Sequence, residues 1–253
     1  MTQSGPTPPQ VKTEQPVRDE IISYQKLRAF IGITGILLPV AVVIGCFILG
    51  TGEFFWQISI SHYYYSIMHI LFVCILCVLG GFLFTYKGKF AGESRLANIA
   101  GFCAFGIAAF PTAFDGYQPN VTPPANHYIQ LTSNVSGFWG NMHFAFAGLL
   151  FLCFVIFCLH YFQKPDREYT GQDLIKFKRR KVVYKICGWA IILSIVMIGL
   201  FSLKILPSKG VFRYSTFIFE TTALWAFGSA WLLKGSAALK GVPVVKQMLQ
   251  PLR

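Results

Sequence analysis

Six stretches of the chain are apolar almost without interruption, and polar or charged residues gather in the segments between them. The stretches run Phe30 to Gly50, Ile67 to Phe84, Leu96 to Ala113, Met142 to Phe162, Val182 to Leu203 and Tyr214 to Leu233. A bilayer's hydrocarbon core of about 30 Å takes roughly 17 to 25 helical residues to cross. Backbone in lipid must satisfy its own hydrogen bonds, and these runs lack the alternation of barrel strands. The pattern predicts an all-α polytopic membrane protein, a six-transmembrane-helix bundle. Residues 1–24, rich in Pro, Gln and Thr, read as a disordered arm; 25–235 form the membrane domain and 236–253 a tail. Pro39, with Gly32, Gly35 and Gly45 around it, marks a kink in the first helix where a neighbour can approach. Ala97, Ala100, Gly101, Ala104 and Ala108 put small residues on one face of the third helix. That face predicts a close helix contact and makes the third helix a candidate for the bundle's centre.

Composition sharpens this reading. Apolar residues make up 54% of the 253 positions and charged residues 13%, with a mean hydropathy of +0.54. An ordinary soluble domain carries about 25% charge, so a soluble enzyme is excluded. The net charge of +12 raises nucleic acid as a partner until the basic residues are placed. Only Lys204, Lys209 and Arg213 of the 22 fall on one side of the proposed helices. The rest lie in the N-terminal arm, the second and fourth loops with their helix entries, and the tail. The asymmetry places both termini in the cytoplasm by the positive-inside rule and makes the protein a multi-pass protein of the cell (inner or plasma) membrane. It explains the charge through lipid headgroups rather than nucleic acid. All seven cysteines sit inside proposed spans, and Cys74 and Cys77, one turn apart on an apolar helix, read as packing residues. No cofactor and no metal is called for.

Candidate chemistry collects on the outer side. If the second helix begins near Ser61, His62, Ser66 and His69 share one face at i, i+4 and i+7, and both imidazoles point into the bundle. Tyr65 belongs to the same segment. Asp115 follows Pro111, which ends the third helix, and His143 lies about one turn into the fourth. Glu220 lies about two turns into the sixth, a depth at which an ionisable group needs a partner or water. Ser61, His62, Tyr65, His69, Asp115, His143 and Glu220 are therefore the pocket candidates. They can recognise the polar head of a lipid or other amphiphile without catalysis, or form a metal-dependent hydrolase. They can also be mutually satisfied polar groups holding helices together in a structural or partner-binding subunit, alone, as a homo-oligomer or with another membrane protein. A serine hydrolase finds less support, since no G-x-S-x-G occurs and Ser61 and Ser66 lack a specified acid.

Ser59-Ile60-Ser61 with its following tyrosines, Tyr86-Lys87-Gly88, Asn98 with Gly101, Phe110-Pro111-Thr112, His143 with Ala147, and Ala226-Phe227-Gly228 with Trp231 to Gly235 carry a resemblance. Across residues 25 to 235 they resemble a bacterial family of six-helix membrane proteins classed as a domain of unknown function. More distantly, the Ile-Ser pair, the Asn of the third helix and the His opening the fourth are similar to the eukaryotic family of damage-regulated autophagy modulators and GPI-anchor lipid-remodelling proteins. Its Ser-acidic-Thr-Gly element is replaced here by Ser61-His62-Tyr63-Tyr64-Tyr65. The resemblance implies a lipid-associated role and transfers no catalytic residue.

Overall fold

The computed structural model describes residues 14–50, 56–113, 137–165, 168–207 and 210–239. Six long helices follow one another: α1 (Glu14–Leu49), α2 (His69–Thr85), α3 (Ala91–Ala109), α4 (Phe138–Ile156), α5 (Gly171–Ser202) and α6 (Ser215–Leu239), and no strand occurs among the described residues. Short 3₁₀ turns cover Ser61–Tyr65 and Gly210–Tyr214. Each long helix packs on the next, and α6 closes back on α1, so the six form a ring in chain order. α3 is therefore one member of the ring, between α2 and α4, rather than its centre.

Among the described residues three helical stretches are long and apolar enough to cross a membrane: Lys26–Leu49, Phe138–Tyr161 and Gly171–Ser202; the 17-residue α2 is apolar but shorter. The helices carry large apolar side chains on their outer faces. Ile70 is 74% exposed and Trp189 63% exposed, with Leu37, Ile48, Phe102 and Leu193 also on the surface. Contiguous apolar surface on this scale is foreign to a protein solvated by water.

Small residues set the closest approaches. A Cβ on Gly228 would lie 2.5 Å from the Gly32 carbonyl oxygen, and one on Gly32 would lie 2.7 Å from that of Gly228, so backbone meets backbone where α1 crosses α6. The α3 stripe does the same against α2, where a Cβ on Gly101 would sit 2.8 Å from the Gly80 carbonyl. Ala97, Ala100 and Ala104 are fully buried beside it. Across the ring, Phe154 of α4 stacks on Phe227 of α6 with centroids 3.5 Å apart.

Several boundaries differ from the sequence reading. α1 starts at Glu14, so the border drawn between residues 24 and 25 falls within a helix, and the helix continues through Pro39. α5 begins at Gly171, making the basic stretch Lys176–Lys185 helical; Arg180 lies over the Tyr169 ring, 5.7 Å from its centroid. The second helix does not begin near Ser61. After the 3₁₀ turn the backbone extends at Ser66 (φ −102°, ψ 174°), and α2 starts at His69. The break has a local cause. The Ser66 hydroxyl donates to the Tyr63 carbonyl at 2.7 Å and accepts the Met68 N–H at 3.1 Å, capturing backbone groups that a continuous helix would pair internally. His62, Ser66 and His69 consequently do not share a helix face. Cys74 is exposed, Cys77 half-buried, and both are free thiols.

Candidate functional site

The first turn of α6 fastens the segment ahead of the 3₁₀ turn. The Phe217 N–H, which has no partner within its own helix so near its start, donates to the Ile58 carbonyl at 3.1 Å. One turn on, the Glu220 carboxylate accepts the Ile60 N–H at 2.5 Å and also faces the Ser61 N–H. Trp56 packs edge-on against the Phe217 ring, 5.5 Å between centroids. Ser61 is thus held by its backbone, and the residue is half-buried.

That side chain meets His143. The imidazole is buried, and its Nε2 lies 2.9 Å from Ser61 Oγ while its Nδ1 lies 2.7 Å from the Phe110 carbonyl oxygen. A carbonyl only accepts, so Nδ1 carries the proton. In the neutral ring Nε2 is then an acceptor and the Ser61 hydroxyl is its donor. The Phe110 carbonyl is available because α3 ends at Ala109 and Pro111 has no N–H with which to carry the chain onward as a helix. Gly137, in the left-handed region at φ 65°, turns the chain into α4 and sets His143 one turn inside it.

The remaining candidates take separate partners. His62 Nδ1 pairs with Ser59 Oγ at 2.6 Å, and the same oxygen accepts the His62 N–H at 3.2 Å. The Tyr65 hydroxyl donates to the Thr112 carbonyl at 2.5 Å, tying the turn to the chain after α3. Burial raises the Tyr65 hydroxyl's pKa, keeping the proton that this bond uses. His69 Nδ1 donates to the Tyr64 carbonyl at 2.6 Å, and its ring stands edge-on to Tyr64. It does not join the His143 network. Asp115 lies outside the described residues. Among the described residues no group of three or more His, Cys, Asp or Glu side chains is placed to hold a metal ion. Both nitrogens of His143 are already engaged.

Sequence reasoning uses Ser59, Ile60, Phe110 and Thr112 only for the resemblance and puts none of them in the site, since backbone donors and acceptors have no letter in the sequence and Ser59 is one serine among many. The one available signal was Pro111, which ends a helix and so leaves carbonyls without partners. A second buried polar group escaped it altogether. Arg28 donates to the Tyr86 hydroxyl at 3.0 Å, and that hydroxyl donates to Glu93 Oε1 at 2.5 Å, with Arg28 and Glu93 both buried. Lys234, also buried, lies over the Phe162 ring near Trp231, which is itself packed on Tyr86. This cluster sits at the opposite end of the ring from Ser61, where α2 ends and α3 begins.

No protein-family model, curated protein or solved structure matches the chain.

Proposed function

We propose that the protein is a multi-pass membrane protein whose six helices cross the bilayer with both termini in the cytoplasm, and that it holds a lipid or other amphiphile at its outer end. The observation that carries this is the joining of His143 and Glu220 through consecutive residues, half-buried Ser61 and buried Ile60, at the start of the turn on the rim of a ring with an apolar exterior. Polar groups that would be costly to leave facing lipid are gathered where a headgroup meets its acyl chains. Trp56, which is exposed, and the half-buried Tyr64 supply the amphipathic rings that favour this depth. Ser59-Ile60-Ser61, Phe110-Pro111-Thr112 and His143, which carry the resemblance to membrane families, are the stretches that meet here.

Glu220→Gln keeps an oxygen for the Ile60 N–H and removes the charge. Native mass spectrometry of the purified protein, mixed with phosphatidylethanolamine or phosphatidylglycerol, should show a one-to-one lipid complex that survives delipidating detergent. Its retention should fall about tenfold in the variant, because a neutral amide holds the Ile60–Ser61 backbone of the site less firmly, by roughly 1.4 kcal/mol. Chelator should change neither value. Equal retention by both proteins, or no retained lipid, contradicts the reading.

A further inference from the structure

Resting on the amphiphile-binding reading, we propose that Ser61 is a nucleophile with His143 as its base, and that together they cleave carboxylic esters of amphiphiles by acyl transfer to Ser61 and then to water.

The geometry is that of an activated hydroxyl. Nucleophilic serine chemistry needs the hydroxyl within hydrogen-bond reach of a base, and the base fixed by a third group. Ser61 Oγ lies 2.9 Å from Nε2, and the Phe110 carbonyl holds Nδ1–H at 2.7 Å. The orienting group decides the outcome: an imidazole in the other tautomer would present N–H to the hydroxyl and could not remove its proton. A backbone carbonyl cannot present that alternative. His143 is rigid as well, buried on α4 with its partner fixed at the end of α3. Ser61 is held independently, because Glu220 grips the backbone on either side of the Ile60–Ser61 peptide bond. A serine serving only as a helix contact needs neither a dedicated tautomer nor partial exposure.

In the first step Oγ bonds to the ester carbonyl carbon and its proton passes to Nε2. The carbon–oxygen bond to the alcohol then breaks, and the departing alkoxide takes that proton. In the second step water attacks the acyl-serine carbonyl, again through Nε2. The carboxylic acid leaves, and Ser61 and His143 return to their starting protonation. No oxidant or metal enters either step. Esters of amphiphiles are the substrate class because Ser61 is half-buried at the rim of a ring with an apolar exterior, the level at which an acyl chain in the bilayer would present its carbonyl.

The test is labelling of the full-length protein in nanodiscs by an alkyl fluorophosphonate, whose phosphorus bonds to an activated serine as fluoride leaves. Peptide mapping should find one adduct, on Ser61, absent in Ser61→Ala and formed at the normal rate in Ser229→Ala. His143→Gln should label at least about 100-fold more slowly, the contribution of a positioned general base. If that variant fails to fold, the wild-type rate against pH serves instead: labelling must fall as the imidazole is protonated, and a flat profile overturns the role of His143. Release of nitrophenol from the octanoyl ester should follow the same pattern. No adduct on Ser61 in protein that still forms the lipid complex overturns the catalytic proposal and leaves binding standing. Labelling of Ser61 in protein that retains no lipid confirms the nucleophile and removes the binding reading.

Discussion

Gly228→Val should abolish most of the folded protein. A Cβ at this position would lie 2.5 Å from the Gly32 carbonyl and 2.6 Å from Cγ1 of Ile36, and the first of these is backbone on a packed helix that cannot rotate away. α1 and α6 must separate to admit the side chain. Their contact closes the ring, so the strain falls on the whole assembly rather than on a local loop. Overpacking in well-packed interiors costs about 1–3 kcal/mol and more when backbone must move, and the Phe154–Phe227 stack one residue away would shift with it. We expect a loss of about 3 kcal/mol or more, read as the midpoint of unfolding in detergent with a fluorescent reporter and size-exclusion profile. Gly148→Ala, where nothing lies within 4 Å, is the matched control and should fold normally.

Glu93→Leu should be nearly as damaging, for a different reason. The carboxyl accepts from the Tyr86 hydroxyl at 2.5 Å and faces the Phe90 N–H at 3.4 Å, closing the start of α3. Through Tyr86 it also stands opposite buried Arg28. Leucine would remove the carboxylate that accepts from the Tyr86 hydroxyl and that is joined through it to Arg28, in an aromatic surrounding of Trp231 and Phe157. Removing one partner from a buried charged network costs about 3–5 kcal/mol. Glu93→Gln, which keeps an acceptor, should lose less than half of that in the same unfolding measurement. Equal stability of Glu93→Leu and the native protein would show that the Arg28–Tyr86–Glu93 chain does not support the fold.

The contrast between these two positions shows where the sequence is readable. The helices and the close approach at Gly32 follow from the length of apolar runs and from small residues spaced by three and four, patterns that local chain geometry enforces. Gly228 opposite Gly32 required the ring closure, which no local pattern encodes. Arg28 counts in the sequence only among the basic residues of the N-terminal arm and Glu93 draws no reading, because counting charge by segment says nothing about which side chains turn inward. At the other end, His143 and Glu220 stand out in the sequence because polar residues in apolar runs are conspicuous. Their partners do not, being a serine among several and the carbonyl of Phe110. The helix expected from Ser61 onward failed at Ser66, whose hydroxyl competes for the backbone bonds that helix would need. That break separates His62 and Ser66 from the face of His69, and Ser61 meets His143 of α4.

The proposed function requires the Ser61 end of the ring to lie outside the membrane and the basic end inside. Impermeant maleimide applied to intact cells measures this most directly, in a background lacking the seven native cysteines. Trp56→Cys, in the exposed approach to the 3₁₀ turn, should label in intact cells. Lys178→Cys, in the basic part of α5, should label only after the membrane is permeabilised. Labelling of both from the same side would contradict the topology and the outer-leaflet site built upon it.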